Sequence, residues 1–208
     1  NPTANGFERV AEVPGNCLIT SITEDHKKII WAGTNNQGVF WFDPVTHNSG
    51  HLQSELHNTN SLSNNAVNDV YEDSNNFIWF STEGGGLCKL SGDRKNFTRY
   101  TVKDGLPTNF FFKVLEDNNK NLWASTSRGL VNFKPGLKNI KMYTRDIGRL
   151  VDQLNYHSGY KDEYGRLYFG SVKGMISFMP DDFLERSCVP PVYVTGFQVF
   201  NKELTVND

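Results

Sequence analysis

"NLWASTSRGLVNFKP" (residues 121–135) sets a Trp before small residues, then a Gly, an apolar pair and a Pro. "FIWFSTEGGGLCKL" (residues 77–90) repeats nearly the same phrase 44 residues earlier. Working outward, four copies align on an acidic residue and an aromatic one six positions later: Asp25 and Trp31, Asp73 and Trp79, Asp117 and Trp123, Asp162 and Tyr168. The aromatic anchors stand 48, 44 and 45 residues apart. Three positions beyond them come Thr34, Thr82, Thr126 and Ser171, and six or seven beyond come Gly38, Gly86, Gly129 and Gly174. Each Gly precedes a bulky apolar residue (Val39, Leu87, Leu130, Met175), with Phe42, Leu90, Phe133 and Phe178 three places further on. A period of about 40–50 residues is the mark of a solenoid or a propeller.

Each copy reads as short strands separated by turns. In the second, "AVNDVYE" (66–72), "FIWFST" (77–82), "LCKL" (87–90) and "FTRYTV" (97–102) are strand segments. "DSNN", "EGGG" and "SGDRKN" between them have turn composition. Four short strands per unit predict an all-β fold of β-propeller blades, each of four antiparallel strands. The second strand of each copy ("IIWAGT", "FIWFST", "NLWAST", "RLYFGS") is apolar at consecutive positions. A strand with one wet face would alternate, so both faces are expected to be covered by neighbouring blades. The aromatic anchor then fills the space between sheets, and Gly33, Ser81, Ser125 and Gly170, two places on, mark crowding. The repeated Asp is expected to bond turn N–H groups.

Composition narrows the function. The formal charge is −2, and no Lys/Arg stripe suits phosphate, so nucleic acid is not an expected partner. No apolar run of about 18 residues or signal peptide occurs, so no membrane contact is expected of this segment. Three cysteines without a CxxC pair argue against a disulfide framework, and Cys88 takes a slot held by Phe40, Val131 and Ile176, as a small buried hydrophobe would. His47, His51 and His57 lie in an Asn/Ser-rich loop without ligand spacing, so no metal or other cofactor is expected. Catalysis would need two converging carboxylates, and Asp69, Glu72, Glu83, Glu163 and Asp181 show no paired spacing. No nucleophile elbow, P-loop or HExxH pattern appears, so the chain is not expected to be an enzyme.

"EDSNNFIWFSTEGGGLCKL" and "EDNNKNLWASTSRGLVNFKP" resemble the two-component-regulator propeller repeat, and "DGLPTNFF" is similar to its lead into a first strand. "PPVYVTGFQVFNKEL" (190–204) resembles the opening of the immunoglobulin-like sandwich that follows such propellers. The resemblance implies the periplasmic sensor of a hybrid two-component system, part of an inner-membrane protein whose histidine kinase lies elsewhere. It also implies an oligosaccharide ligand and a homodimeric parent. Domain boundaries follow: 1–16 as the end of a preceding blade, 17–189 as four blades, 190–208 as the start of the sandwich. Phe7-Glu8-Arg9-Val10 resembles the outer strand at 97–100 and would supply the outer strand missing from the fourth copy if the ring closes.

Sugars are held by aromatic faces with amides, carboxylates and Arg. In propellers the connections that follow a blade's outer strand and its second strand share one face. On those connections, where the repeat breaks, Asn64, Asn65, Asn109, Phe110, Arg128, Tyr156 and His157 are the candidate ligand residues. Trp41, beside Phe40 and Phe42, is a further candidate if its ring is exposed. Asn65 and Asn109 hold equivalent positions and suit turns equally well. Tyr156, six residues before Asp162, falls in the core slot of Ile19, Val67 and Phe111.

Overall fold

The computed structural model describes residues 17–134, 136, 140–144, 153–183, 197–199 and 202–204. The first sheet holds β1 (Ile19–Glu24), β2 (Ile30–Thr34), β3 (Val39–Phe42) and β4 (Ser49–Leu52) in sequence order. The second holds β5 (Val67–Glu72), β6 (Ile78–Thr82), β7 (Leu87–Leu90) and β8 (Phe97–Tyr100). The third holds β9 (Phe111–Glu116), β10 (Leu122–Thr126), β11 (Gly129–Phe133) and β12 (Lys141–Tyr143). In the fourth, β13 (Leu154–Lys161), β14 (Leu167–Ser171) and β15 (Gly174–Phe178) follow the same order. All pairings are antiparallel, and the sheets are the blades of a propeller. Among the described residues the fourth blade has three strands, without the outer strand its sequence was expected to lack. Pro180, which has no N–H to donate, opens a short 3-10 turn (Pro180–Phe183) where a fourth strand would be approached. The predicted outer strand at 7–10 lies outside the described residues, as do 1–16 and most of the segment 190–208 expected to open a sandwich. Within that segment, β16 (Phe197–Val199) and β17 (Lys202–Leu204) pair antiparallel.

The first strands pack side by side. Thr20 and Thr23 of β1 donate to the Val67 and Val70 carbonyls of β5 at 2.5 and 2.6 Å. Asn68 of β5 donates to the Phe111 carbonyl of β9 at 2.8 Å, and Lys161 of β13 donates to the Glu116 carbonyl at 3.0 Å. Three apolar clusters fill the spaces between successive blades. Every residue of β6 and β10 is buried, as their unalternating apolar sequence demands. Roughly 25 cal/mol per Å² over the ~200 Å² of an indole gives each buried Trp about 5 kcal/mol, an upper figure.

The repeated residues have specific duties. Asp73 Oδ1 accepts from the Asn75 and Phe77 N–H groups at 2.9 and 3.0 Å, while Oδ2 accepts from Trp79 Nε1 at 2.7 Å. Asp25–Trp31 and Asp117–Trp123 repeat the indole bond at 2.8 and 2.9 Å, and the Tyr168 hydroxyl serves Asp162 at 3.0 Å. The Thr82 hydroxyl donates to the Gly86 carbonyl at 2.7 Å, closing the β6–β7 turn. Gly86 has φ +81°, and a β-carbon there would collide with the Tyr100 carbonyl of the outer strand. Crowding at Gly33 is equally concrete: a β-carbon would meet Val67 and Val70 of the next blade at 3.2 and 3.3 Å. Cys88 is fully buried opposite Phe80.

Candidate functional site

One face of the propeller carries the turns between second and third strands, and the candidate site grows from the β6–β7 turn. Glu83 follows Thr82, and its backbone N–H donates to the Ala66 carbonyl at 2.9 Å. The carbonyl of Glu83 receives Asn64 Nδ2 at 3.0 Å, and its Oε2 receives Asn68 Nδ2 at 2.8 Å. Asn68 is buried and also holds the Phe111 carbonyl, so the Glu83 carboxylate sits on a rigid base.

From the fourth blade, Tyr156 donates its hydroxyl to Glu83 Oε1 at 3.0 Å. Partial burial, and then the carboxylate it donates to, hold that phenol above its ordinary range. The Tyr156 ring packs on Phe112 with centroids 4.3 Å apart. His157 Nδ1 lies 2.6 Å from the Asn68 carbonyl, which fixes Nδ1 as the protonated nitrogen. Phe110 is 43 % exposed, and its ring edge lies above Gly84, where a β-carbon would stand 3.7 Å away. Two exposed aromatic rings, a carboxylate and an imidazole therefore converge on one surface.

The strand register corrects one sequence-based placement. Leu154, not Tyr156, occupies the core slot of Ile19, Val67 and Phe111, pairing with Ser171 as those pair with Thr34, Thr82 and Thr126. β1, β5 and β9 each carry a one-residue bulge at Thr20, Asn68 and Phe112. In β13 four residues, Asn155–Ser158, lie between Leu154 and Gly159, against Gly170 alone on β14. The two additional residues push Tyr156 out of the core, where it is 43 % exposed.

The other candidates divide. Asn64, Phe110, Tyr156 and His157 are brought together. Asn65 and Asn109 have their side chains committed to backbone, accepting from the Ser54 and Val102 N–H groups at 2.7 and 2.9 Å. The Asn109 carbonyl also receives the Gly84 and Gly86 N–H groups at 3.0 and 2.9 Å. Arg128 is exposed on the β10–β11 turn, whose Ser127 N–H donates to the Phe110 carbonyl at 3.3 Å, so it borders the site without entering it. Trp41 is not freely exposed: its ring lies flat against Gly50 and packs on the core between the first two blades. Glu83 and Asn68 were absent from the candidate ligand set. Glu83 stands where the other copies have Asn35, Ser127 and Val172, and that break in the repeat is the signal that marks it.

Residues 61–84 and 105–128 match the family model described as "Two component regulator propeller". A histidine kinase, P4, from Formosa agariphila is 28% identical over 231 residues, covering 88% of this chain and 17% of that protein. The extracellular domain of a putative hybrid two-component system from B. thetaiotaomicron superposes with a TM-score of 0.73 at 24% identity, covering 91% of this chain and 26% of that one. A catalytically inactive virginiamycin B lyase from Staphylococcus aureus superposes at 0.59 with 14% identity, covering 81% and 57% of the two chains. These structural likenesses speak to the fold, and this chain spans about a sixth of the curated relative and a quarter of that extracellular domain. The matched segments are the loops and first two strands of the second and third blades, so the similarity to the two-component regulator propeller rests on those two repeats.

Proposed function

We propose that this propeller is part of the periplasmic, ligand-sensing region of a hybrid two-component sensor, that it recognises an oligosaccharide, and that it signals across the inner membrane to a histidine kinase. The observation that carries the reading is the cluster of Phe110, Tyr156, Glu83 and His157. It offers aromatic faces for the apolar side of a sugar ring and hydrogen-bonding groups for its hydroxyls. Among the described residues no helix is long and apolar enough to cross a membrane. The chemistry favours binding over catalysis. Asp69 is paired with Lys113, Glu72 with His26, Asp181 with Asn119, and Glu83 is held on both oxygens. A ligand alters signalling only through unequal affinity for two receptor states. Calorimetry of the complete periplasmic region with a broad glycan panel tests the proposal; binding weakened by Phe110→Ala supports it, and silence across the panel overturns it.

A protein-interaction scaffold, including a homodimeric parent, is the second reading. Sedimentation of the complete periplasmic region would show concentration-dependent association; a monomer at every concentration removes this reading.

A further inference from the structure

The enlarged bulge of β13 does something the other three bulges do not. Thr20 bonds to the adjacent second blade and Phe112 packs on the adjacent fourth, while the bulge residue Asn68 is the receiving side of the tie described next. The bulge at Asn155–Ser158 skips a neighbour, because Tyr156 and His157 of the fourth blade bond to Glu83 and Asn68 of the second. We infer that this bulge is a cross-axis latch: it ties the fourth blade to the second past the third, and a ligand donor that takes Glu83 from Tyr156 releases it.

The two sides of the tie differ in rigidity. On the second blade, Glu83 and Asn68 are fixed by the Ala66 and Phe111 carbonyls and by each other. On the fourth, Asn155, Tyr156 and His157 are exposed, and the ladder to β14 resumes only at Gly159. His157 has φ +56°, a left-handed conformation that a residue with a β-carbon keeps when its surroundings hold it there. Its holders are the 2.6 Å bond to the Asn68 carbonyl and the neighbouring Tyr156 ring at 6.0 Å. A ligand hydroxyl can replace the Tyr156 hydroxyl on Glu83 bond for bond, leaving no buried acceptor unpaired. Release would loosen the last described blade before β16, in the chain direction toward the C-terminal segment. The release step rests on the sensing reading above; the tie itself does not.

The experiment therefore begins without ligand. Backbone ¹⁵N order parameters of residues 155–158 should be near 0.85 in the wild type and fall below about 0.6 in Tyr156→Phe, with β14 and β15 unchanged. Tyr160→Phe, an exposed tyrosine on the same strand, should leave all values alone. A bulge that stays rigid in Tyr156→Phe, or that loosens equally in Tyr160→Phe, overturns the latch. Titration with gluco-, manno- and xylo-configured hexasaccharides follows. A latch that competes with ligand makes Tyr156→Phe bind several-fold tighter, whereas a simple contact residue makes it bind weaker, which overturns release. Silence across the three sugars removes the sugar reading and the release step with it, and the order parameters still decide the tie.

Discussion

Trp79 donates its indole N–H to the carboxylate of Asp73, six residues earlier, at 2.7 Å, and both groups are buried. The same carboxylate holds two N–H groups of the turn between them. One side chain therefore fixes the turn, orients the largest core residue and satisfies its only polar atom. Asp73→Ala would leave an indole N–H and turn amides without their acceptor, at a cost of about 3 kcal/mol. Trp79→Phe removes the donor and leaves a void of its own, but the Asp73 carboxylate keeps its turn amides, so the cost is about 2 kcal/mol. Urea unfolding of both variants checks the order; a loss below about 1 kcal/mol for Asp73→Ala would refute the account.

Gly86 and Gly174 occupy the same repeat position, with φ of +81° and +141°. A β-carbon on Gly86 strikes the Tyr100 carbonyl, whereas one on Gly174 meets nothing within 4 Å. Backbone strain alone should cost Gly174→Ala about 1–2 kcal/mol. Gly86→Ala adds displacement of β8 and should cost at least about 3 kcal/mol. Equal melting temperatures for the two variants would show that the outer-strand contact is immaterial.

Much of this was legible in the sequence, because repeats average out local ambiguity. The strands of the second blade fall within two residues of their expected bounds, and the Asp, Thr and Gly positions all proved structural. Two things were hidden. Glu72 and Glu116, each just before a repeated Asp, reach back to the preceding blade and accept from the His26 and Ser74 N–H groups at 2.8 and 2.9 Å. A carboxylate that bonds to another repeat leaves no pattern within its own. The β13 bulge was hidden because counting six residues back from Asp162 assumes a fixed strand, and two extra residues shift Leu154 into the slot assigned to Tyr156. Insertions that preserve both flanking anchors are invisible to spacing, and here the insertion builds half of the candidate site.

Cys88 provides a chemical test of the core between the first two blades. Burial pushes its thiol up to about 11, and the side chain has no exposure. At pH 8 only about one molecule in a thousand would carry the thiolate, and a reagent would still need access to it. Alkylation mapped by mass spectrometry should leave Cys88 unmodified in the native protein and modify it fully in urea, while Cys17, half-buried, reacts first. Labelling of Cys88 under native conditions would place it outside the core.

Asp69 predicts an unusual pH dependence. It lies buried between β1 and β9, and burial pushes its carboxyl above the usual carboxylate range despite Lys113 Nζ at 2.8 Å and the Val114 N–H at 3.1 Å. The folded protein therefore keeps this proton over a window in which the unfolded chain, at about 3.9, has already lost it. The native state binds more protons there, so this group's contribution is full below about pH 4 and lost as pH rises through the folded value. Asp69→Asn cannot titrate, so comparison with it cancels the other carboxylates. Urea midpoints of both proteins from pH 4 to 8 should show the wild type losing stability relative to the variant as pH rises, then levelling off. A difference that stays flat, or grows in favour of the wild type with rising pH, would mean that Lys113 outweighs burial and that Asp69 is charged throughout.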